Sequence, residues 1–451
     1  MICNRLRMLL ALFVLIVAAC DKAKSPAIES AAGLHKYGAL PGLRTSHLQG
    51  LHDELARLES ERATAAQLTD SRFTVPTTLS PGSEAIEPQK KAASLQAVFE
   101  RELQESLLKQ LDELYPVGPF VFSPSSMRAA IQLKDRYDAQ RQRIHQIIAE
   151  LDRGFGIQLT RGLAADTSFT DVVTIGNRLD AIVAAELLNR DNPSGAAVIL
   201  REMTAAIESL ATEKHIVPRI AAVHRRGEAL RVMEAIAMHP NATLETHRRL
   251  GTLIDDQLVN WPADQFAWIG DRAIGIQTYE LVRDGYLLSI LEHDEQSRLR
   301  REVGLDRLAT QVAENVDQDE LFYLRAMRQT IDACQRPYHQ RERVFREVNR
   351  KLASLRDSLA YPLVADLILW KNVQEGQRLQ ALDRARCEAW SIALAASVGA
   401  PRPAYNINPL TGRRYIIDPR PDKVIVDGID PNRGASPIII PRQNAVLNTK
   451  R

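Results

Sequence analysis

Between Ala92 and Ser397 apolar side chains recur at steps of three and four residues. Between Gly399 and Arg451 stand eight prolines, which forbid any long helix. A chain divided in this way must build its core from helices and make its end from something else. The stripe Leu95, Val98, Phe99, Leu103, Leu107, Leu111 and Leu114 stops before Pro116. Ser123-Pro124 then reads as an N-cap followed by proline at the first helical position, where the missing donor costs nothing. Ile131, Tyr137, Ile144, Ile147, Ile148 and Leu151 carry that helix on toward Gly154. Leu359 to Leu369, with Trp370 behind it, predicts an apolar core helix, and roughly Leu379 to Ser397 another. Aromatic residues make up only 5% of the chain, which suits packed helices better than sheets.

The expected fold is therefore all-α, with a helical domain over 92–398. Pro193, Pro218, Pro240 and Pro262 recur at intervals of 25, 22 and 22 residues, room for one helix and a turn each. Two architectures fit this rhythm: an antiparallel bundle, or an irregular array whose units bury a face only against their neighbours. In the tail, 399–451, Asn408-Pro409-Leu410-Thr411-Gly412 predicts a β-turn. Arg414 to Asp418 and Lys423 to Asp427 predict a small hairpin, and Pro437 and Pro441 fence the run Ile438-Ile439-Ile440.

The N-terminus has a different organisation. Arg5 and Arg7 precede an unbroken apolar run from Met8 to Ala19, closed by Val17-Ala18-Ala19-Cys20. The run is too short for a membrane-spanning helix, which needs about 20 apolar residues. A secretory signal cut after Ala-x-Ala is the plainer alternative. The order of charge, apolar run and box resembles the signal of bacterial lipoproteins. That resemblance implies removal of 1–19, lipid on Cys20, and a membrane partner engaged through that lipid. Asp21 resembles the signal that retains such proteins at the inner membrane, facing the periplasm. Residues 20–33 then read as a tether, and 34–72 as an N-terminal amphipathic helix with Leu48, Leu51, Leu55 and Leu58 on one face. Residues 73–91 read as a linker holding Pro76, Pro81 and Pro88. The helix at Ala381 to Ala396, the Asn408 to Gly412 turn and the strand pair also resemble a pattern of uncharacterised helical envelope proteins, a resemblance that implies architecture and no reaction.

Charge excludes one class of partner. Without Arg5 and Arg7 the 58 Lys and Arg fall to 56, equal to the 56 Asp and Glu. A neutral chain has no net field to hold a nucleic acid backbone, so none is expected. Attachment to membrane must come from acyl chains. Cys334 and Cys387 could pair in an oxidising compartment or stay as buried thiols.

Signatures of catalysis are missing from the sequence: no Gly-x-Ser-x-Gly, His-Glu-x-x-His, Cys-x-x-Cys, Walker loop or Gly-x-Gly-x-x-Gly occurs. Ser106 and Lys109 have the Ser-x-x-Lys spacing but fall inside a continuous helix. Glu59, Glu105 and Glu208, each followed by serine, lack the segment that lytic transglycosylases place after their glutamate. His47 with His52, Glu292 to Glu295, and His239 with His247 offer no three-ligand face, so no metal or cofactor is expected. Trp261, Phe266 and Trp268 are the most site-like cluster; they suit either a ligand groove or an inter-helix corner. The expectation is a lipid-anchored envelope protein with a structural or protein-interaction role. The alternatives are a glycan-acting hydrolase with an unrecognised site and a lipid- or glycan-binding lipoprotein.

Overall fold

The computed structural model describes residues 48–67, 86–151, 155, 167–285, 296–297, 300–301, 304–358, 360–370, 372–401, 403–405, 407–431 and 435–443. The signal segment, Cys20, the tether, His47, residues 73–85 of the linker and Glu292 to Glu295 lie outside them.

The described chain is mainly helical, with a small antiparallel sheet near its C-terminus. Helix α1 (Gln49–Gln67) is followed by α2 (Ile86–Gln96), α3 (Arg101–Leu114), α4 (Pro124–Arg136) and α5 (Asp138–Ala149). The linker is thus shorter than its prolines suggest, because Pro88 sits in the first turn of α2, where a helix needs no donor. Ser123 caps α4 as expected, accepting from the Ser126 amide at 3.1 Å. The helix expected to run on to Gly154 instead breaks at Tyr137 (φ −114°, ψ 17°), whose ring stands edge-on to Phe99 at 5.9 Å.

Then come α6 (Phe169–Asn189), α7 (Pro193–Ala211), α8 (Ile216–Met238), α9 (Leu244–Val259) and α10 (Gln265–Arg283). Turns of a few residues join α6, α7 and α8, which pack side by side and therefore alternate in direction. Last are α11 (Leu305–Ala333), α12 (Glu342–Leu355), a π-helical turn (Ala365–Trp370) and α13 (Val373–Ser397). Helix α13, from the far end of the chain, packs on both α8 and α9. A stack of neighbour-only units would have no such contact, so the arrangement is a bundle rather than an array.

Two apolar cores form. The first gathers α2 to α9, most of α13 and the sheet; the second gathers α1, α10, α11, α12, the π turn and Val373. Leu51, Leu55 and Leu58 bury α1 in the second core, and Glu54 pairs with Arg328 of α11 at 2.6 Å. The segment read as an apolar helix from Leu359 winds as a π turn, and Asp319 of α11 caps its entry by accepting from the amides of Val364 and Ala365, at 2.8 and 2.9 Å.

In the tail, β1 (Ile416–Pro419), β2 (Lys423–Asp427) and β3 (Ile438–Pro441) pair in that order. The fenced isoleucine run therefore adds a third strand to the expected hairpin. Val424 and Val426 of β2 face the core beside Ile440 and Ile438, and the sheet lies on α13. The turn before it is a hub. Asn408 is fully buried; its side-chain oxygen accepts from the Leu410 amide (2.8 Å) and its nitrogen donates to the carbonyls of Gly428 (2.9 Å) and Ile429 (2.8 Å). Gly412 closes the turn at φ +71°, with the His339 ring where a side chain would stand. Asn408→Ala strands those two carbonyls and is expected to cost about 2–3 kcal/mol, read as a lowered urea midpoint; a loss under 0.5 kcal/mol would show the hub to be dispensable.

Candidate functional site

Helix α8 carries charge on a face that its neighbours do not cover. Ala221, His224, Gly227, Glu228, Arg231 and Glu234 follow helical spacing, and the thirteen steps from Ala221 to Glu234, at about 1.5 Å each, make a floor roughly 20 Å long. One wall is α3 and α6, presenting Asp112, Thr174 and Arg178; the other is α13 and the strand end, presenting Arg386, Trp390 and Ile438. The cleft between them holds about 700 Å³, a volume suited to an organic ligand of moderate size.

Its charges are built as a network. Arg178 bridges Asp112 (2.6 Å) and Glu228 (3.3 Å), and Arg225 takes the other oxygen of Glu228 at 2.7 Å. Arg231 donates to the carbonyls of Pro116 (2.6 Å) and Gly118 (2.9 Å). The Tyr115 ring lies 5.5 Å from the Arg178 guanidinium and 5.2 Å from that of Arg231, and holds both by cation–π attraction. Arg225 and Arg226 are consecutive and so diverge by about 100° around the helix. Arg226 turns inward, where it meets Asp383, Gln257 and the Trp261 ring. His224 is pushed down to about 4, first by burial and then by the Arg225 charge, so a neutral imidazole lines the cleft at physiological pH.

A second polar cluster lies across α6. Arg178 and Asp180, two residues apart, point to opposite sides of that helix. Fully buried Asp180 receives Arg141 and His145, each at 2.9 Å, and Glu202 lies 3.9 Å from both. His145, Asp180 and Glu202 come close enough for one metal ion. The guanidinium of Arg141 stands among them, however, and a cation there would repel any second one. The cluster is a charge pair network. Burial opposes a charged His145, yet the hydrogen bond and charge of Asp180, with Glu202 behind, prevail and raise its pKa.

The residues singled out from sequence fall elsewhere. Trp268 is fully enclosed in the second core; its indole donates to Gln380 at 2.9 Å, and its ring tip fills the space left by Gly376. Half-buried Trp261 belongs with the first core, under Arg226, while Phe266 is half-buried at the start of α10. They form corners and no shared groove. Cys334 and Cys387 are free thiols, one of the two alternatives that the sequence left open. Cys387 is sealed in the first core, whereas Cys334 ends α11 beside the second, bonded to the Thr330 carbonyl at 3.4 Å. Burial pushes both thiols up, Cys334 to about 12.

His247 is also a brace: Nδ1 meets Ser397 (2.8 Å), and Nε2 meets the Ala237 carbonyl and Gln443 (3.1 Å each). His239 holds the Leu188 carbonyl at 3.1 Å. Ser106, Lys109, Glu105 and Glu208 lie on exposed helix faces, and His52 is half-buried on α1. The cleft's arginines were not among the residues the sequence singled out. Arg178 inside the apolar run of α6, and the His224-Arg225-Arg226 triplet in mid-helix, were the available signals. No helix of the described residues is long and apolar enough to cross a membrane. Comparison with known proteins gives no match: no family model, no curated protein and no solved structure resembles the chain.

Proposed function

We propose that the chain is a lipid-anchored protein of the bacterial envelope that acts by binding, with the cleft over α8 as its binding site. The observation that carries this reading is the state of the acid at the centre of the cleft floor. Glycan hydrolysis requires a carboxyl free to give a proton beside an open substrate groove. Glu228, at the centre of the cleft floor, has one oxygen on Arg178 and the other on Arg225. Such a pair orients a ligand or fixes a wall, and it removes the acid from proton transfer. The anchor rests on Arg5, Arg7, the Met8 to Ala19 run and Cys20, and the neutral body leaves membrane attachment to lipid. A protein partner in the envelope remains part of this reading, since a bound ligand can set how the neutral surface is presented.

Expression of the full chain with radioactive fatty acid in a Gram-negative host tests the anchor. Cys20→Ser is expected to abolish the label and to leave the precursor uncleaved. Undiminished labelling would refute lipidation at this residue. Native mass spectrometry of the mature protein, extracted from membranes, tests the binding site by looking for a retained small molecule.

A further inference from the structure

We infer that the cleft binds an organic anion with an apolar body, the anionic group pairing with Arg386 and the body lying against Trp390, Leu230 and Ile438. This inference rests on the binding reading above and adds the chemistry of the ligand.

Four arginines line the cleft, and three are satisfied by the protein: Arg178 and Arg225 by Glu228, Arg231 by backbone carbonyls. Arg386 is different. It is half-buried on α13, and no described residue forms a hydrogen bond or ion pair with its guanidinium. On its own helix, Asp383 pairs with Arg226 through Oδ2 and feels the Arg386 charge without a hydrogen bond to it, and Glu228 is held by the other two arginines. Glu234 stands seven residues beyond Gly227, about 10 Å along α8, and Asp171 belongs to the α6 wall.

The guanidinium reaches across to α8 at Gly227, where a Cβ would lie 3.7 Å from its Nη1. His224, one turn earlier on the same face, also has no hydrogen bond from a described residue. Its neutral ring can donate to an anion without adding charge. A planar guanidinium with free donors in a partly desolvated cleft matches a carboxylate or a similar oxyanion.

The walls decide what the anion is attached to. Trp390, Leu230 and Ile438 border the cleft and are otherwise buried, and Ala435 and Pro437 extend the apolar side. About 700 Å³ far exceeds the size of a bare phosphate or acetate. An ion alone would leave the apolar wall wet, whereas an amphiphile covers it and meets Arg386 at once.

The experiment is calorimetric titration of the full chain in nanodiscs, against an empty-nanodisc reference, with three probes: 2-naphthoate, its neutral amide 2-naphthamide, and inorganic phosphate. The expected result is that 2-naphthoate binds at least tenfold more tightly than either of the others. Arg386→Gln is expected to erase the advantage of naphthoate over the amide while leaving amide binding unchanged. Gly227→Leu fills the floor beside Arg386 without changing charge and is expected to abolish binding of both organic probes. It keeps the test informative should Arg386→Gln fail to fold. Equal binding of naphthoate and naphthamide, or naphthoate affinity unchanged in Arg386→Gln, overturns the anion assignment and leaves the binding reading intact; naphthoate affinity unchanged in Gly227→Leu overturns the cleft as the site. Phosphate binding as tightly as naphthoate overturns the apolar body. Binding of none of the three, with no ligand retained in native mass spectrometry, overturns the binding reading itself.

Discussion

Replacing Arg283 with methionine is expected to cost about 3–5 kcal/mol of stability at pH 7.5, because it leaves a buried carboxylate without its cation. Arg283 closes α10 and reaches three acids: Glu280 (2.7 Å), Asp317 (2.7 Å) and Glu320 (2.5 Å). Glu320 is wholly buried, and its second oxygen has no partner. Burial pushes its carboxyl from 4.5 up to about 7 even though the Arg283 charge and hydrogen bond oppose the shift.

The sign of the pH dependence follows. A carboxyl whose folded pKa exceeds its unfolded one holds its proton better when folded. Its contribution to stability therefore falls as pH rises from about 4.5 to about 7, and is level above that. Asp319 beside it, pushed up to about 6 by burial, acts in the same direction. His215 and His224, each pushed down to about 4, oppose it by losing stability as pH falls below 6.5. The informative comparison is thus between variants. Glu320→Gln should lose less stability than the parent between pH 5.5 and 7.5 in urea denaturation. Arg283→Met should be more damaging at pH 7.5 than at pH 5.5, where Glu320 can accept a proton. A penalty under 1 kcal/mol at pH 7.5 would mean that Glu320 is solvated and the pair superficial.

What the sequence made legible, and what it hid, has a common physical cause. Helices α3, α4 and α13 were readable because each repeats its apolar spacing over several turns and carries its own stop or cap. The hairpin was readable because β-branched runs flank a proline-bearing turn. The break at Tyr137 was hidden: apolar spacing continues through it, and the edge-on contact with Phe99 comes from another helix. The capping of the π turn was hidden for the same reason, since the Asp319 carboxylate that accepts from the Val364 and Ala365 amides is distant in sequence. The cleft was the least legible feature. Asp112, Arg178, Glu228 and Arg386 belong to four separate helices, and each alone reads as a solvated charge. Only the packing of α13 back onto α8 brings Arg386 to face Gly227. The aromatic cluster was legible as a group in sequence but not in its placement, because Trp261 and Trp268, close in the chain, pack with different cores.

Gly270→Ala is expected to destabilise the protein by about 3 kcal/mol, against the gain of up to about 1 kcal/mol that the same change brings in an open helix. Gly270 sits in the first half of α10 and is buried where that helix crosses the connection between α7 and α8. A Cβ there would fall on the carbonyl oxygen of Lys214 and lie 2.6 Å from its carbon. A backbone carbonyl cannot rotate away as a side chain can, so the two segments must separate. They are pinned against separation by buried Arg219, whose Nε donates to the Glu213 carbonyl at 2.7 Å and whose Nη1 donates to the Ala263 carbonyl at 3.0 Å. Relief of the overlap would stretch those bonds and draw Trp268, two residues earlier on α10, away from Gln380. The penalty should therefore depend on the clamp. In the Arg219→Met background the segments are freer to part, and Gly270→Ala should cost less than it does alone, a coupling readable in a double-mutant cycle by urea denaturation. Gly285, at φ +83° past the end of α10, offers the contrast: substitution there strains the backbone and meets no neighbour among the described residues. If Gly270→Ala leaves stability unchanged or raised, the close approach of α10 to the α7–α8 connection is wrong, and with it the seam between the two cores.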